Sequence, residues 1–282
     1  MAIGNQIRTV VLLGLLTAIL LWIGSFWGSS GLTFAIVFAA VINFGAYWFS
    51  DKLVLALYRA KPVTEKESPK LYKIVRDVAH LAKIPMPKVY IVPGQWSNAF
   101  ATGRDYNHAA VACTQGILEL LNEDELKGVI AHEISHIKNR DTLIQAVAAT
   151  IAGVISYIAM IARYAAIFGG SNRDRRGGSG LELLVLAVLT PILATLIRLA
   201  ISRSREYLAD ESAAKTLHSG LGLASALEKL EKDIKHMPLA VSSTTETTAH
   251  LFIASPFRGG GFINLFMTHP PIHLRIKRLR AI

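Results

Sequence analysis

His132-Glu133-Ile134-Ser135-His136 is the stretch on which the reading of the whole chain turns. Positions four apart on a helix lie one above the other on the same face, so two imidazoles at this spacing can grip one metal ion without bending the backbone. Glu133 falls slightly to the side, where its carboxylate reaches a metal-held water but not easily the metal. On a solvated helix face the same letters would carry no chemistry. The surroundings separate the two readings.

Upstream runs Asn122-Glu-Asp-Glu-Leu-Lys-Gly-Val-Ile-Ala131. Asn122 is an N-cap candidate and Glu125 follows three positions on, a capping-box start with acidic residues in the first turn. Leu126, Val129 and Ile130 repeat at helical spacing. The motif therefore falls within a helix, as metal ligation at this spacing requires, and it fits the H-E-x-x-H pattern in which the glutamate is a general base beside zinc. A catalytic zinc needs three protein ligands and an open position. Glu206, in Ser204-Arg-Glu-Tyr-Leu-Ala-Asp210, is the best candidate for the third. Asp210 lies four residues further on the same face, placed to hold the other N–H of a ligand histidine.

These motifs, with Thr268-His-Pro-Pro-Ile-His-Leu-Arg275 and Asn98-Ala-Phe-Ala-Thr-Gly103, closely resemble the HtpX family of bacterial membrane-bound zinc peptidases. Four separated motifs in one order are far more specific than any one alone, and the resemblance runs essentially end to end. It implies one Zn2+ per chain held by His132, His136 and Glu206, and substrates that are membrane or misfolded proteins, cut in quality control under stress. It also implies a multi-pass protein of the bacterial inner membrane. His269 matches the family's His-Pro motif. By resemblance it contacts the substrate carbonyl or the tetrahedral intermediate, with packing as the alternative. Arg275 either pairs with Asp210 or Glu206 or is simply solvated.

Composition agrees with a membrane protein. Apolar residues make up 52% of the 282 and charged ones only 18%, with mean hydropathy +0.39, an excess for a soluble chain. The net charge of +10 fits surplus Lys and Arg on cytoplasmic segments, and no nucleic-acid motif accompanies it. The single Cys113 excludes an internal disulfide and sits in an apolar run.

Val10 to Trp27 and Leu32 to Phe49 are apolar runs, each near the ~20 residues that cross a bilayer, with Gly28-Ser-Ser-Gly31 read as the turn between them. Trp22, Trp27, Tyr47 and Trp48 lie towards segment ends. No convincing cleavage site follows the first run, which argues against a signal peptide. Residues 1–50 are thus expected to form a transmembrane hairpin. Residues 51–141 carry Lys52, Arg59, Lys61, Lys66, Lys70, Lys73 and Arg76, which puts this first part of the protease, and the N-terminus, in the cytoplasm.

Within that part, Ser68 to Lys83 reads as an amphipathic helix, Lys88 to Val92 and Ala109 to Cys113 as strands, and Asn98 to Thr102 as a third strand. Asn98, Ala99, Phe100 and Ala101 are the candidate substrate-binding edge, to which a peptide would pair through its backbone. The competing reading is a buried strand with Phe100 in the core.

Leu143 to Ile161 and Leu181 to Ile201 are further apolar runs inside a second hairpin, 142–201. Because His132 and His136 precede them and Glu206 follows, both cross the membrane or neither does. Length favours crossing; Arg173, Arg175 and Arg176 in the linker favour an interfacial hairpin. Residues 202–282 hold the rest of the protease.

The fold expected is α+β, mainly α: an integral membrane protein with about four transmembrane helices and a zincin-like domain with a small β-sheet. Glu133 acts as base on zinc-activated water and cuts peptide bonds. A metal transporter or sensor with the same ligands would place them within the spans, and here they flank the spans. A non-catalytic client-binding scaffold would have no need of Glu133. The partners expected are the bilayer and protein substrates, with no nucleic acid, and the oligomeric state is unknown.

Overall fold

In a computed structural model of the chain, the residues described are 2–25, 28–148, 150, 151, 153, 154, 203–236, 251–253 and 270–282. Helices α1 (Ala2–Ser25) and α2 (Gly28–Trp48) pack into a hairpin. Both are long and apolar enough to cross a membrane, and their large apolar side chains face outward, Phe34 at 70% and Val10 at 68% exposure. A soluble surface does not present such a contiguous apolar belt; hydrocarbon tails accept it. Between the helices Asn43 Nδ2 donates to Thr17 Oγ1 at 2.7 Å, a polar link of the kind that joins membrane helices.

The expected turn over Gly28 to Gly31 needs correction. α2 already begins at Gly28, whose φ of +66° lies where a side chain would be strained. Residues 28–31 are thus the first turn of α2. Among the described residues only these two helices qualify as spans. Of the run 143–161 the start alone is described, and the run 181–201 and the linker 168–180 lie outside the described residues.

That start is informative. Residues 141–148 are helical, and Ile144, Val147, Ala148 and, further on, Ile151 pack in one cluster with Leu12, Leu16, Ile19 and Leu20 of α1.

After α2 come α3 (Ser50–Leu57), β1 (Lys61–Pro62), α4 (Pro69–Ala82), β2 (Lys88–Val92), β3 (Ala99–Thr102), β4 (Ala110–Thr114), α5 (Gln115–Leu120) and α6 (Glu123–Asn139). Then follow α7 (Arg203–Leu217), α8 (Leu221–His236) and α9 (Ile272–Leu279). The four strands form a mixed sheet of order β1-β2-β4-β3, with β2 and β4 parallel and the outer pairs antiparallel. β3 is an edge strand.

Alternation along the strands divides the sheet's two faces. Val89, Ala99, Ala101, Val111 and Cys113 join the core made with α4, α6 and α8. Val92, Phe100, Ala110 and Ala112 instead pack with Val54, Leu55 and Tyr58 at the end of the hairpin, with Ala146, and with Leu251 and Phe252. α4 supplies its apolar stripe Leu71, Ile74, Val75, Val78 and Ala82 to the first core, which accounts for its amphipathic pattern.

Candidate active site

Helix α6 is fixed at both ends. Asn122 Oδ1 accepts from the Glu125 N–H and Glu125 Oε2 accepts from the Asn122 N–H, each at 2.9 Å, a complete capping box. Glu125 also accepts from Ser225 Oγ and Lys229 Nζ of α8, both at 2.7 Å. Gly128 lets the helices touch: a Cβ there would stand 2.5 Å from the Leu223 backbone nitrogen. The helix stops at Arg140, whose left-handed backbone returns its N–H to the last turn.

So held, α6 turns His132, Glu133 and His136 into the protein interior, and α7 brings Glu206 to meet them; all four are buried. The two histidine Nε2 atoms lie 3.2 Å apart. Glu206 Oε2 is 3.6 Å from His132 Nε2, and its Oε1 is 3.5 Å from His136 Nε2. Ligands about 2.0–2.2 Å from a tetrahedral zinc stand at about this separation from one another. No other group of three or more metal-binding side chains gathers this way among the described residues.

Charge makes the same point. Glu133, Glu206, Asp210 and Asp141 are buried carboxylates around the histidines, and Arg205 and Arg275 are the buried cations among them. Among the described residues these are four carboxylates against two guanidiniums when the imidazoles are neutral, and burying net charge is costly. A divalent cation would cancel it. The donor set fits zinc.

Each histidine's other nitrogen faces a carboxylate. His132 Nδ1 is 2.9 Å from Asp210 Oδ1, and His136 Nδ1 is 3.2 Å from Asp141 Oδ2. Asp210 in turn accepts from Arg275 Nε and Nη2, both at 2.8 Å. Arg275 is wholly buried and also donates to the Ile253 carbonyl at 2.8 Å. Asp141 lies 3.6 Å from Arg205 Nη1. These outer partners orient a ligand imidazole and fix its tautomer.

The pKa values follow from the packing. Burial works to lower His132, but the Asp210 and Glu206 carboxylates outweigh it and hold the imidazole up at about 9 without a metal. Burial would raise Asp210, yet Arg275 and His132 keep it down at about 2. Glu133 is raised above the usual carboxylate range, chiefly by burial.

Glu133 Oε2 accepts a hydrogen bond from the Ala101 N–H at 2.9 Å, so the edge strand and the candidate base touch directly. The Asn98 carbonyl faces β4, accepting from the Thr114 N–H at 2.9 Å. Alternation then turns the backbone groups of Ala99 and Ala101 to the outer edge. The side chain of Asn98 is already engaged: Nδ2 donates to the Leu251 carbonyl at 3.3 Å and Oδ1 accepts from the Ile253 N–H at 3.1 Å. Phe100 is a core residue, 5.2 Å from the Tyr58 ring.

His269 lies outside the described residues. Asp141, Arg205 and the 251–253 segment were not anticipated. For Asp141 a signal existed: a carboxylate five residues past a candidate ligand histidine can turn back to that ring's second nitrogen.

Residues 65–282 match the model of Peptidase family M48. The chain belongs to peptidase family M48. Within it, the "Protease HtpX homolog" of Syntrophobacter fumaroxidans is 50% identical over 99% of both chains. The "Protease HtpX homolog" of Pyrococcus furiosus is 52% identical over all of this chain and 97% of its own. The crystal structure of S. mikatae Ste24p shares the fold, with TM-score 0.52 and 18% identity, over 98% of this chain and 66% of that one. This M48 peptidase is thus an HtpX-type membrane metalloendopeptidase.

Proposed function

We propose that the chain is a zinc endopeptidase that cuts membrane or misfolded proteins at the cytoplasmic face of the cell membrane, in quality control of membrane proteins. The observation that carries the reading is the approach of His132, His136 and Glu206 to 3.2–3.6 Å of one another with Glu133 on the same helix. The basic stretch after α2 supports the cytoplasmic side. A transporter finds no support, since α1 and α2 hold no Asp, Glu, His or Lys.

Zinc, when bound, supplies Lewis acidity and lowers the pKa of water towards ~7. The protein's own groups do the rest. Glu133 takes the water's proton on a carboxylate oxygen and returns it to the departing amine. Its raised pKa makes it a stronger base than an exposed glutamate, which favours the first transfer. The outer edge of β3 pairs with substrate backbone through Ala99 and Ala101, with Phe100 anchoring the strand from its other face and Asn98 stiffening its start. Asp210 and Asp141 orient the imidazoles, and Arg275 orients Asp210. His269, by its motif, meets the scissile carbonyl.

By length, the apolar runs 143–161 and 181–201 both cross the bilayer. The packing of Ile144, Val147 and Ile151 on Leu12 and Leu16 supports this.

The test is metal analysis of the purified protein with a casein digestion assay, with and without chelator. Glu133→Gln is expected to keep its metal and lose turnover by about 10²–10⁴-fold. Near wild-type turnover in that variant would remove the assigned base.

A further inference from the structure

The strand offered to substrate is built onto the membrane end of the molecule. Immediately after β3, the Gly103 carbonyl accepts from Thr142 Oγ1 at 2.8 Å, and Thr142 opens the helical residues 141–148 that pack along α1. The next residue, Arg104, donates from Nη1 to the Trp48 carbonyl at 3.3 Å and lies 4.7 Å over the Trp48 ring. Trp48 is the last residue of α2, where a membrane helix places its interfacial aromatics. Phe100 reaches the same end, against Tyr58 at the close of α3 and in one cluster with Ala146. Contacts at Phe100, Gly103 and Arg104 thus seat β3 against the end of the hairpin and the helical residues 141–148.

The metal helix is equally near. Arg140 alone separates α6 from the helical residues 141–148. Ile144, eight positions past His136, is fully buried in the cluster with Leu12 and Leu16. At about 1.5 Å per helical residue, with the turn at Arg140 between the two stretches, His136 and the first fully buried side chain packed on α1 lie on the order of 12 Å apart.

Resting on the proteolytic reading above, we propose that the enzyme cuts juxtamembrane bonds: sites only a few residues from a membrane span of the substrate. An extended peptide covers about 3.3 Å per residue, so about four residues climb from the bilayer to the site and about two more complete the pairing on β3. A spacer of about six residues therefore suffices. A site standing about 30 Å clear of the bilayer would need about ten residues for the climb alone.

The experiment co-reconstitutes the full-length zinc-loaded protein in liposomes with single-span substrates. Each carries the same unstructured casein-derived cassette, placed about 3, 6, 9, 15 or 30 residues from the span. The cassette is also supplied as a soluble peptide, and cut sites are read by mass spectrometry. Cleavage that begins by a spacer of about six residues and reaches its plateau by about nine is the expected result. Cleavage confined to spacers of about 15 or more, or to the soluble peptide, overturns the juxtamembrane proposal and leaves the proteolytic function standing. Cleavage of no substrate, soluble or tethered, overturns both.

Discussion

The backbone N–H of Ala101 and the carboxylate of Glu133 are hydrogen-bonded at 2.9 Å, joining the edge of the sheet to the helix that carries the metal ligands. The bond holds the base in one rotamer and sets the distance between the strand that would align a peptide and the group that would activate water. Alignment and chemistry share one donor.

Ala101→Pro deletes that donor. A hydrogen bond to a charged group contributes about 1.5–3 kcal/mol, so kcat/KM is expected to fall about 10–100-fold with both kcat and KM affected. Zinc content should stay normal. Steady-state kinetics on several unrelated peptides checks this, and a change in KM alone would mean that the bond to Glu133 does not order the base.

Replacing a ligand should differ from replacing its support. Glu206→Ala is expected to purify with little zinc, while Asp141→Ala should retain the site with about 10–100-fold weaker affinity and Asp141→Asn should recover part of the loss. Chelator competition measures each. Full metal occupancy in Glu206→Ala would show that another group completes the triad.

Protons and metal compete for His132. Its pKa in the metal-free fold is about 9, above the unfolded value of about 6.5. The protonated form therefore stabilises the metal-free protein fully below about pH 6.5, and that contribution is lost as pH rises through about 9. Zinc needs the neutral ring, so its affinity should climb about tenfold per pH unit and level off above about pH 9. Zinc titrations across this range test it; affinity already level at pH 7 would contradict a raised His132.

The crossing of the second hairpin is tested by chemistry at its linker. A cysteine at Ser171 or Ser179, in a Cys113→Ser background, should react with a membrane-impermeant thiol reagent added from outside the cytoplasm. Cys113 itself is buried in β4, so its removal only clears the background. Reaction after lysis alone would place the linker in the cytoplasm and make the hairpin interfacial.

What was legible in the sequence is what short spacing encodes. The capping box at Asn122, the stripe of α4, the strands near 88–92 and 110–114 and the two N-terminal spans all announce themselves within a few residues. Even Glu206, some seventy positions past His136, was singled out because a zinc reading demands a third candidate, and the fold brings it beside both histidines. What was not legible depends on contacts between distant segments. Nothing local tells that β4 lies between β2 and β3, or that residues 251–253 bridge Asn98 to Arg275. Asp141 was passed over because its role shows only in the folded protein. Its contacts, His136 and Arg205, come from the two sides of the second hydrophobic hairpin.

That division of the metal pocket has a consequence for biosynthesis. Arg205, Glu206, Asp210 and Arg275 all lie beyond residue 201, and Arg275 stands only a few residues from the C-terminus. A ribosome that has already released His132, Glu133 and His136 has made two imidazoles and a base with no third ligand and no cation behind them. Until residues 203–275 have followed, neither Glu206 nor the Arg275–Asp210 pair is present to complete the pocket.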